Sequence, residues 1–406
     1  MSTGAFTSGY FTQSLVKPSF ATEFTRLFPN GQAPLFGLSS MLQTETAVQF
    51  EHGFFTKTML FPQLQVSVQA AAADTVINVT SSVNVLPNMI MRVNSTGENI
   101  IINSVIGPTQ VSVTRGVGST SAAIIAINTF LYQVGTAFEE ASVRPNALII
   151  NPVRITNFTQ IFRNTWATSD SVRATMMIAG DTNTAESRQD CAAFHASDIE
   201  RALIFGQKSQ GVRNGQPFRT MDGFVSIVGN LANYPTSVYT VPNVTTFGAT
   251  TNYTQFEAAV DPMFNQTTDP KVANERILFV GSRAKVVINN IGRLNGTYMM
   301  VDGATSWGMQ FSTIKTARGT FRIIEHPQFN TNPTWQGYCF GVDLSTFRLA
   351  YLGDRKTMNE EFGMNGTPAD NGMDAEGGTL TTELTCVIKN PPANFIGFNM
   401  TAAAAG

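Results

Sequence analysis

The segment Arg154–Gly206 constrains the fold of this chain more than any other part of its sequence. It begins with a polar block that alternates like a strand and continues into one long stretch with helical periodicity. Small and apolar side chains recur three or four residues apart in that stretch, at Ala192, Ala196, Ile199 and Leu203. The other positions carry charged side chains, at Glu186, Arg188, Asp190, Asp198 and Arg201. The pattern predicts a spine helix, at about residues 185–206, that packs on a sheet along one side only.

The region before that helix predicts β structure. Short alternating runs of apolar and polar residues follow one another between residues 63 and 140, and turn formers such as Gly97 and Gly107-Pro108 separate them. Closely spaced strands of this kind indicate a small all-β module. The sequence segments just before and just after the module look like two parts of one loop. We therefore expect the module to be an insertion in one long loop.

The region after the spine helix predicts a mixture of helices and strands. A helix is predicted at Tyr253–Val260, and a second helix is predicted from Arg283 to Ile288, where Ser282 can cap the free amides of the first turn. Strands are predicted at Arg276–Val280, Trp307–Phe311, Gly319–His326, Gly341–Tyr351 and Leu380–Ile388. Apolar and polar residues alternate in the last of these, which predicts one covered face. Strands on both sides of a helical middle predict an α+β fold whose sheets are completed by distant parts of the chain.

The first part of the chain, Met1–Gln43, has no sustained period. It mixes Phe, Thr, Ser, Gly and Pro, with turn formers at Pro29, Asn30, Gly31 and Pro34. This composition predicts an extended arm. Each aromatic side chain that stays in water forgoes about 2 kcal/mol of burial. We therefore expect the arm to lie on another surface, either its own or a neighbour's.

The charge and the cysteine content exclude several classes of protein. Only 13% of the 406 residues are charged and the net charge is −2, so the chain lacks the basic clusters of a nucleic-acid-binding protein. Three scattered cysteines fit buried, reduced thiols better than a disulfide framework. The N-terminus does not have the pattern of a signal peptide. The most apolar segment, Ala122–Leu131, is too short to span a bilayer, so we expect no membrane contact.

We assign no catalytic, cofactor-binding or metal-binding residue from the sequence. The histidines His52, His195 and His326 have no Cys or carboxylate at metal-ligand spacing, and we interpret them as structural. The Gly-rich segments Arg115–Gly118 and Val280–Arg283 lack the lysine and glycines of nucleotide-binding motifs, so they are interpreted as a turn and a capped helix start. We expect no cofactor and no enzymatic activity.

The acidic residues leave two alternative interpretations open. A cluster at Glu360, Glu361, Asp370, Asp374 and Glu376 lies among glycines and could in principle form a Ca²⁺ loop, but its spacing does not follow the EF-hand positions and favours a solvated loop. A carbohydrate-active enzyme would use paired carboxylates, for which Asp302 and Glu325 are the candidates. Nothing in the sequence positions those two residues together.

Several residues follow one another in an order that has a counterpart in a known family. The strand-like block carries Asn157, Gln160, Ile161 and Phe162, and the spine helix carries Asp198, Ile199, Glu200 and Gly206. The tail carries Glu383, Asn390-Pro391 and Gly397. In this order the chain resembles tailed-bacteriophage major capsid proteins with the fold of the Hong Kong ninety-seven type. The β module resembles an insertion in the extended loop of some members.

The resemblance implies a division of the chain into four parts. These are an N-terminal arm at 1–43, an extended loop at 44–151 with the all-β insertion at about 63–140, a peripheral domain at 152–210 and 330–406, and an axial domain at 211–329. It also implies self-assembly into hexamers and pentamers of an icosahedral shell around double-stranded DNA. The expected location is the virion, after assembly in the host cytoplasm.

Further partners implied by the resemblance are scaffold, portal and decoration proteins, with only weak, non-specific contact to packaged DNA. A second class remains open, namely another phage structural protein such as a tail-tube, fibre or decoration protein. Such a protein would share the Thr- and Asn-rich β structure, although a tube or fibre would not need the long central helix.

Overall fold

The computed structural model describes residues 33–57, 62–147, 152–175, 183–234, 241–265, 275–295, 301–302, 312–363 and 373–404. The chain divides into two compact units, one formed by the stretch Phe54–Ile155 and the other by most of the chain before and after it. The first 32 residues of the predicted arm and the strand predicted at Trp307–Phe311 lie outside the described residues.

The described elements are named here in chain order. The helices are α1 Pro34–Met41, α2 Asp170–Arg173, α3 Asn183–Phe205, α4 Phe224–Gly229, α5 Tyr253–Val260 and α6 Ser282–Asn295. The strands are β1 Glu45–Ala47, β2 Glu51–Thr56, β3 Gln63–Gln65, β4 Val76–Asn78, β5 Met89–Val93, β6 Asn99–Gly107, β7 Gln110–Thr114, β8 Phe130–Thr136, β9 Val153–Phe158, β10 Gln160–Ser169, β11 Ser209–Arg213, β12 Gln216–Thr220, β13 Val244–Thr246, β14 Glu275–Val280, β15 Val301–Asp302, β16 Ser312–Lys315, β17 Thr320–Glu325, β18 Cys339–Val342, β19 Phe347–Leu352, β20 Met358–Phe362, β21 Ala375–Ile388 and β22 Phe395–Phe398. The mixture confirms the α+β fold class.

A five-stranded sheet is built around the tail strand β21. Its order is β1-β19-β21-β10, with β20 also paired to β21. The antiparallel register of β21 with β10 runs without interruption from Gln160↔Leu384 to Ser169↔Ala375. On the other side of β21, β19 pairs with its second half and β20 with its first half. The strand β10 therefore forms one edge of this sheet and β1 forms the other.

The tail strand is longer and more deeply buried than its sequence predicts. It begins at Ala375 and not at Leu380, and its second half is buried on both faces. The face that carries Leu384, Cys386 and Ile388 is covered as predicted, and the opposite face is covered as well. Two of its polar side chains have partners inside the protein: Glu383 accepts a hydrogen bond from Thr159 and pairs with Arg355, and Thr382 lies 2.7 Å from Nε2 of His195. Such partners allow polar residues of a strand to be buried at low cost.

The spine helix is confirmed as α3, but its buried face differs from the predicted one. Ile199 and Leu203 are fully buried, whereas Ala192 is exposed and Cys191 and His195 are buried instead. Also buried on the same helix are Ser197, Glu200 and Ile204. The helix contacts α1 and α4 as well as β10 and β21, so the prediction of packing along one side only was wrong. The sequence pattern missed these positions because most of their side chains are polar.

The end of the spine helix depends on a close approach of backbone segments. The N–H of Gly223 donates to the carbonyl of Gly206 at 2.9 Å. A Cβ atom on Gly206 would lie 2.6 Å from the carbonyl oxygen of Met221, so a side chain there would push the two segments apart.

A seven-stranded sheet of order β13-β22-β18-β14-β17-β16-β15 belongs to the same unit. Its centre, β14, is parallel to β17 and antiparallel to β18. The helices α5 and α6 cover an apolar core that includes Phe256, Val287, Ile288 and Phe321. The predicted helix at Tyr253–Val260 is confirmed as α5, and the strand predicted at Gly319–His326 is confirmed as β17.

Two local predictions in this region were wrong. The single strand predicted at Gly341–Tyr351 is two strands in different sheets, because a turn at Asp343 accepts the backbone N–H groups of Ser345 and Thr346. Ser282 does not cap α6 but is its first residue. Its backbone N–H donates to Oδ1 of Asn330 at 2.8 Å, so a distant side chain does the capping.

The predicted all-β module is present as a six-stranded sheet of order β3-β8-β5-β6-β7-β4. An antiparallel bridge between Val66 and Val79 joins the two edges and closes the sheet into a barrel. Its interior consists of fully buried apolar side chains such as Leu64, Met91 and Ile100. Closure removes the free edges through which sheets aggregate.

Candidate functional site

The described histidines lie in structural hydrogen-bond networks. In α3, Nδ1 of His195 lies 2.7 Å from Oδ1 of Asn164, and its Nε2 lies 2.7 Å from the hydroxyl of Thr382. Burial lowers the pKa of His195, and the nearby carboxylate of Asp198 opposes this shift only in part. The ring therefore bridges the spine helix to two strands of the sheet. His52 contacts Glu45 through Nε2 at 3.2 Å.

The third histidine, His326, belongs to a buried network around Glu200. The carboxylate of Glu200 is fully buried and lies 2.7 Å from Nε2 of His326. The same carboxylate accepts the backbone N–H groups of Leu35 and Phe36 at 2.8 and 2.7 Å. These N–H groups lie in the first turn of α1, where a helix has free donors and positive potential. Glu200 thus fixes α1, in the predicted arm, to the spine helix.

The helix α1 corrects the prediction of an extended arm over Met1–Gln43. Proline at its first position is suited to a helix start, and its side chains Leu35 and Leu38 are buried in the same core as the spine helix. After α1 the chain enters β1, which pairs in parallel with β19. Within the described residues, therefore, this end of the predicted arm is part of the folded unit.

The cysteines have no features of reactive thiols. Cys191, Cys339 and Cys386 are all free and buried, as the sequence predicts. Burial raises the pKa of Cys339 and of Cys386 to about 12. Because the thiolate is the nucleophile, these thiols are poorly suited to react at neutral pH.

Both Gly-rich segments are in close contact with other groups of the protein itself. The guanidinium of Arg115 pairs with the buried carboxylate of Glu98, which also accepts the N–H of Gly116 at 2.9 Å. Burial would raise the pKa of Glu98, but these hydrogen bonds outweigh it and hold the pKa below its usual value. At the start of α6, a Cβ atom on Gly281 would lie 2.5 Å from the carbonyl oxygen of Gln336. Close packing therefore accounts for this glycine without a phosphate.

The acidic residues between Glu360 and Glu376 do not form a cation site in the described part of the chain. No group of three or more His, Cys, Asp or Glu side chains there could hold a metal ion. Glu376 pairs with Arg173, and Glu361 lies 3.6 Å from Arg188. The pKa of Asp374 is raised because its protonated carboxyl group can donate a hydrogen bond to the carboxylate of Asp170, whose negative charge acts in the same direction. Asp370 lies outside the described residues.

The carboxylate pair proposed for a carbohydrate-active enzyme receives no support. Glu325 is paired with Nζ of Lys285 at 3.1 Å and accepts a hydrogen bond from Asn330 at 2.8 Å. The side chain of Asp302 lies outside the described part of the structure. Among the described helices, none combines the length and the apolar character that a membrane span requires.

The surfaces suited to function are apolar side chains and backbone edges that remain open. The two-stranded sheet of β2 and β9 exposes Phe55 and Val153 to 70% and 58%. The segment after β8, residues 137–147, is exposed at every position and includes Phe138 and Val143. Exposed apolar surface of this kind marks contacts with other molecules.

A groove runs between the edge strand β10 and the spine helix. Five successive residues of β10, from Gln160 to Asn164, form one wall, and the other wall consists of Asp198, Arg201, Ala202, Phe205 and Gly206. On one side the backbone of Ile161–Ala167 is paired with β21. On its other side it makes no hydrogen bond to any residue that the structure describes. The guanidinium groups of Arg163 and Arg201 have no polar partner there either.

Sequence reasoning missed the buried ion pairs. Arg276 and Asp343 lie 3.4 Å apart with almost no exposure, and burial lowers the pKa of Arg276 against the opposing charge of Asp343. Like Glu98 and Arg115, these residues are distant in sequence. The only local sign of a buried charge in the sequence was a charged residue inside an apolar pattern, such as Glu200 next to Ile199 on the spine helix.

Comparison with known proteins gives the family. The model of the SU10 major capsid protein family matches residues 3–401. The major capsid protein of Pseudomonas phage PaMx41 is 38% identical over 397 residues, covering 96% of this chain and 93% of that protein. The capsid of an empty GTA particle matches 98% of this chain and 100% of its own, with 11% identity and a TM-score of 0.47. A Gordonia phage Cozz structure matches 97% and 93%, with 13% identity and a TM-score of 0.44. The resemblance to phage major capsid proteins is confirmed, and this chain belongs to the SU10 major capsid protein family.

Proposed function

We propose that this major capsid protein assembles, through hexamers and pentamers, into the closed icosahedral shell that encloses the double-stranded DNA of a tailed phage. The family match over residues 3–401 carries this proposal. Exposed apolar side chains on the β2–β9 sheet and in residues 137–147 support it, because repeated copies would cover them. The protein acts by containment, and no catalytic step is part of its role.

The four-part organisation of the Hong Kong ninety-seven type gives each region a role in this proposal. The arm is assigned to 1–43, the extended loop with its inserted barrel to 44–151, the peripheral domain to 152–210 and 330–406, and the axial domain to 211–329. Support comes from the compact unit Phe54–Ile155 and from the packing of α3 on the five-stranded sheet. The seven-stranded sheet draws strands from both of the last two regions.

Other partners follow from the same proposal. A shell of this kind is built in the host cytoplasm and engages scaffold, portal and decoration proteins. Contact with the packaged DNA is weak and non-specific, which fits a chain with 26 basic and 28 acidic residues.

Electron microscopy of the purified recombinant protein tests the proposal. Closed particles or hexamers are the expected result, because each copy offers several surfaces for the next and symmetry closes the assembly. Open tubes would favour a tail-tube protein instead. A protein that stays monomeric at every concentration and salt condition would overturn the proposal.

A further inference from the structure

The groove beside β10 has the geometry of a site for strand addition. Its edge backbone is open from Ile161 to Ala167 among the described residues, and α3 lies alongside. An extended segment that enters such a groove gains main-chain hydrogen bonds from the strand and side-chain contacts from the helix. Exposed edges are normally covered or blocked by charge, and β10 carries a single charged residue, Arg163, along this edge.

The two sides of the groove each offer one unpaired positive charge. Phe162 and Asn164 face α3, because Phe162 lies in the core with Ile199 and Asn164 donates to Asp198. Side chains alternate along a strand, so Arg163 faces away from the helix. Arg201 belongs to the helix itself and lines the other side. A strand bound here would meet a guanidinium on each of its faces.

One exposed segment of the chain carries the complementary charges. Glu139 and Glu140 follow the exposed Phe138 directly after β8, and neither carboxylate has a polar partner in the described chain. In an extended conformation two consecutive side chains point to opposite faces. Glu139 and Glu140 would then reach the two sides of the groove, where one arginine lies on each.

The same segment has a local conformation that extension would relieve. Ala141 has φ of +60°, in the left-handed region that alanine rarely adopts, and the turn around it contains a hydrogen bond from Ser142 to Glu139. Every residue from 137 to 147 is exposed. At the start of the segment the N–H of Ala137 donates to the carbonyl of Asn88 at 3.0 Å, and from Phe138 onward the bond from Ser142 to Glu139 is the only backbone hydrogen bond to the described chain.

We propose that residues 137–147 of one copy bind as an added strand along β10 of a second copy, with Glu139 and Glu140 paired to Arg163 and Arg201. The contact is heterologous, because the donor segment and the receiving groove are different surfaces, and such contacts form rings when the rotation between successive copies closes. This inference rests on the proposed function, since it names the surfaces through which copies of the capsid protein associate.

Charge reversal tests the pairing. The groove variant carries Arg163→Glu and Arg201→Glu, and the donor variant carries Glu139→Arg and Glu140→Arg. Each alone places like charges opposite one another, so we expect particles to be lost in electron microscopy. A quadruple variant that carries all four substitutions restores both pairings between identical copies, in five-membered as well as six-membered rings, so particles should return. Arg213→Glu, at an exposed arginine of β11 outside the groove, is the matched control and should assemble normally.

The outcomes separate this inference from the proposed function. If the wild-type protein forms no particles, the proposed function fails. If the wild type assembles and both reversal variants also assemble like the control, the strand contact is wrong. Failure of the quadruple variant to assemble, although circular dichroism shows that it is folded, would also overturn it.

Hydrogen exchange gives a measurement that does not depend on variants. The amides of Ile161–Ala167 that face the open edge should exchange fast in unassembled wild-type protein and become protected in particles. Equal exchange of this edge in both states would refute the added strand.

Discussion

Glu200 connects three elements through one buried carboxylate, which accepts two N–H groups of α1 and lies against His326. The substitution Glu200→Gln keeps the volume but leaves one acceptor oxygen and no charge for the first turn of α1. Unpaired buried donors then cost about 1–3 kcal/mol. We expect the free energy of unfolding in urea to fall by about this amount. Hydrogen exchange of the α1 amides should become faster.

The exposed Glu140 provides a matched control for this substitution. Its carboxylate has no partner in the described chain, so Glu140→Gln should leave the unfolding free energy unchanged within about 0.5 kcal/mol. If Glu200→Gln and Glu140→Gln unfold alike and α1 exchanges at the wild-type rate, Glu200 does not hold α1 in place.

His195 makes the stability of the fold depend on pH. Burial lowers its folded pKa below 6.5, so between that folded value and 6.5 the unfolded chain binds a proton that the folded chain does not. The contribution of neutral His195 to the free energy of unfolding is therefore fully present above pH 6.5, and it is lost as the pH falls through this window. Urea unfolding of wild type and of His195→Gln should show a smaller dependence on pH for the variant.

A second window lies at lower pH and must be kept apart from the first. Hydrogen bonds outweigh burial and lower the pKa values of Glu45 and Glu98 below 4.5, so their contribution is lost only as the pH falls below that value. If wild type and His195→Gln lose stability in parallel between pH 7 and pH 5, the buried histidine is not the cause.

At the scale of single residues, the sequence predicts the general role of some side chains but not their partners. It indicates that the histidines are structural and that the cysteines are buried, because spacing and count exclude metal and disulfide chemistry. It does not indicate that Glu200 would meet His326, or that Asn330 and not Ser282 would cap α6, since these pairs lie far apart in the chain. Partners of buried polar groups are set by the tertiary fold.

At the scale of elements, the spine helix carries the packing of one whole unit. Ile199 and Leu203 are fully buried in the core that also holds residues of α1, α4 and β21. Replacing both with alanine removes buried methylene groups and leaves cavities, at about 2–5 kcal/mol for each. We expect the double variant to unfold at much lower urea concentration, or to be insoluble.

Phe194, on the same helix, is the control. It is 59% exposed, so Phe194→Ala should leave the stability of the unassembled subunit close to that of wild type. A double variant at Ile199 and Leu203 that unfolds like Phe194→Ala would show that the helix does not pack in this way.

Local periodicity identifies most elements but not their sheets. The alternating runs between residues 63 and 140 correspond to the six strands of the barrel, because each strand is buried on one face only. The same method joins β18 and β19 into one strand, although they belong to different sheets. The continuous apolar character around Gly341–Tyr351 hides the turn at Asp343. Sheet membership is decided by distant pairings that periodicity does not contain.

At the scale of the whole molecule, the features that bear on function are exposed surfaces and not a pocket. The family order of residues along the chain indicates a capsid protein from sequence, and the family match confirms it. The sheet of β2 and β9 shows why such a chain needs neighbours. Two strands alone are marginally stable, and this pair exposes Phe55 and Val153.

Phe55 allows the need for neighbours to be measured directly. Its side chain is 70% exposed, so Phe55→Ser should change the melting temperature of the unassembled subunit very little. In a shell each copy that buries this ring gains about 2 kcal/mol, and the loss is repeated at every contact. We expect sedimentation of expressed protein to shift from particles to free subunits or small oligomers. Particle yield equal to wild type would mean that the exposed ring of β2 is not an assembly contact.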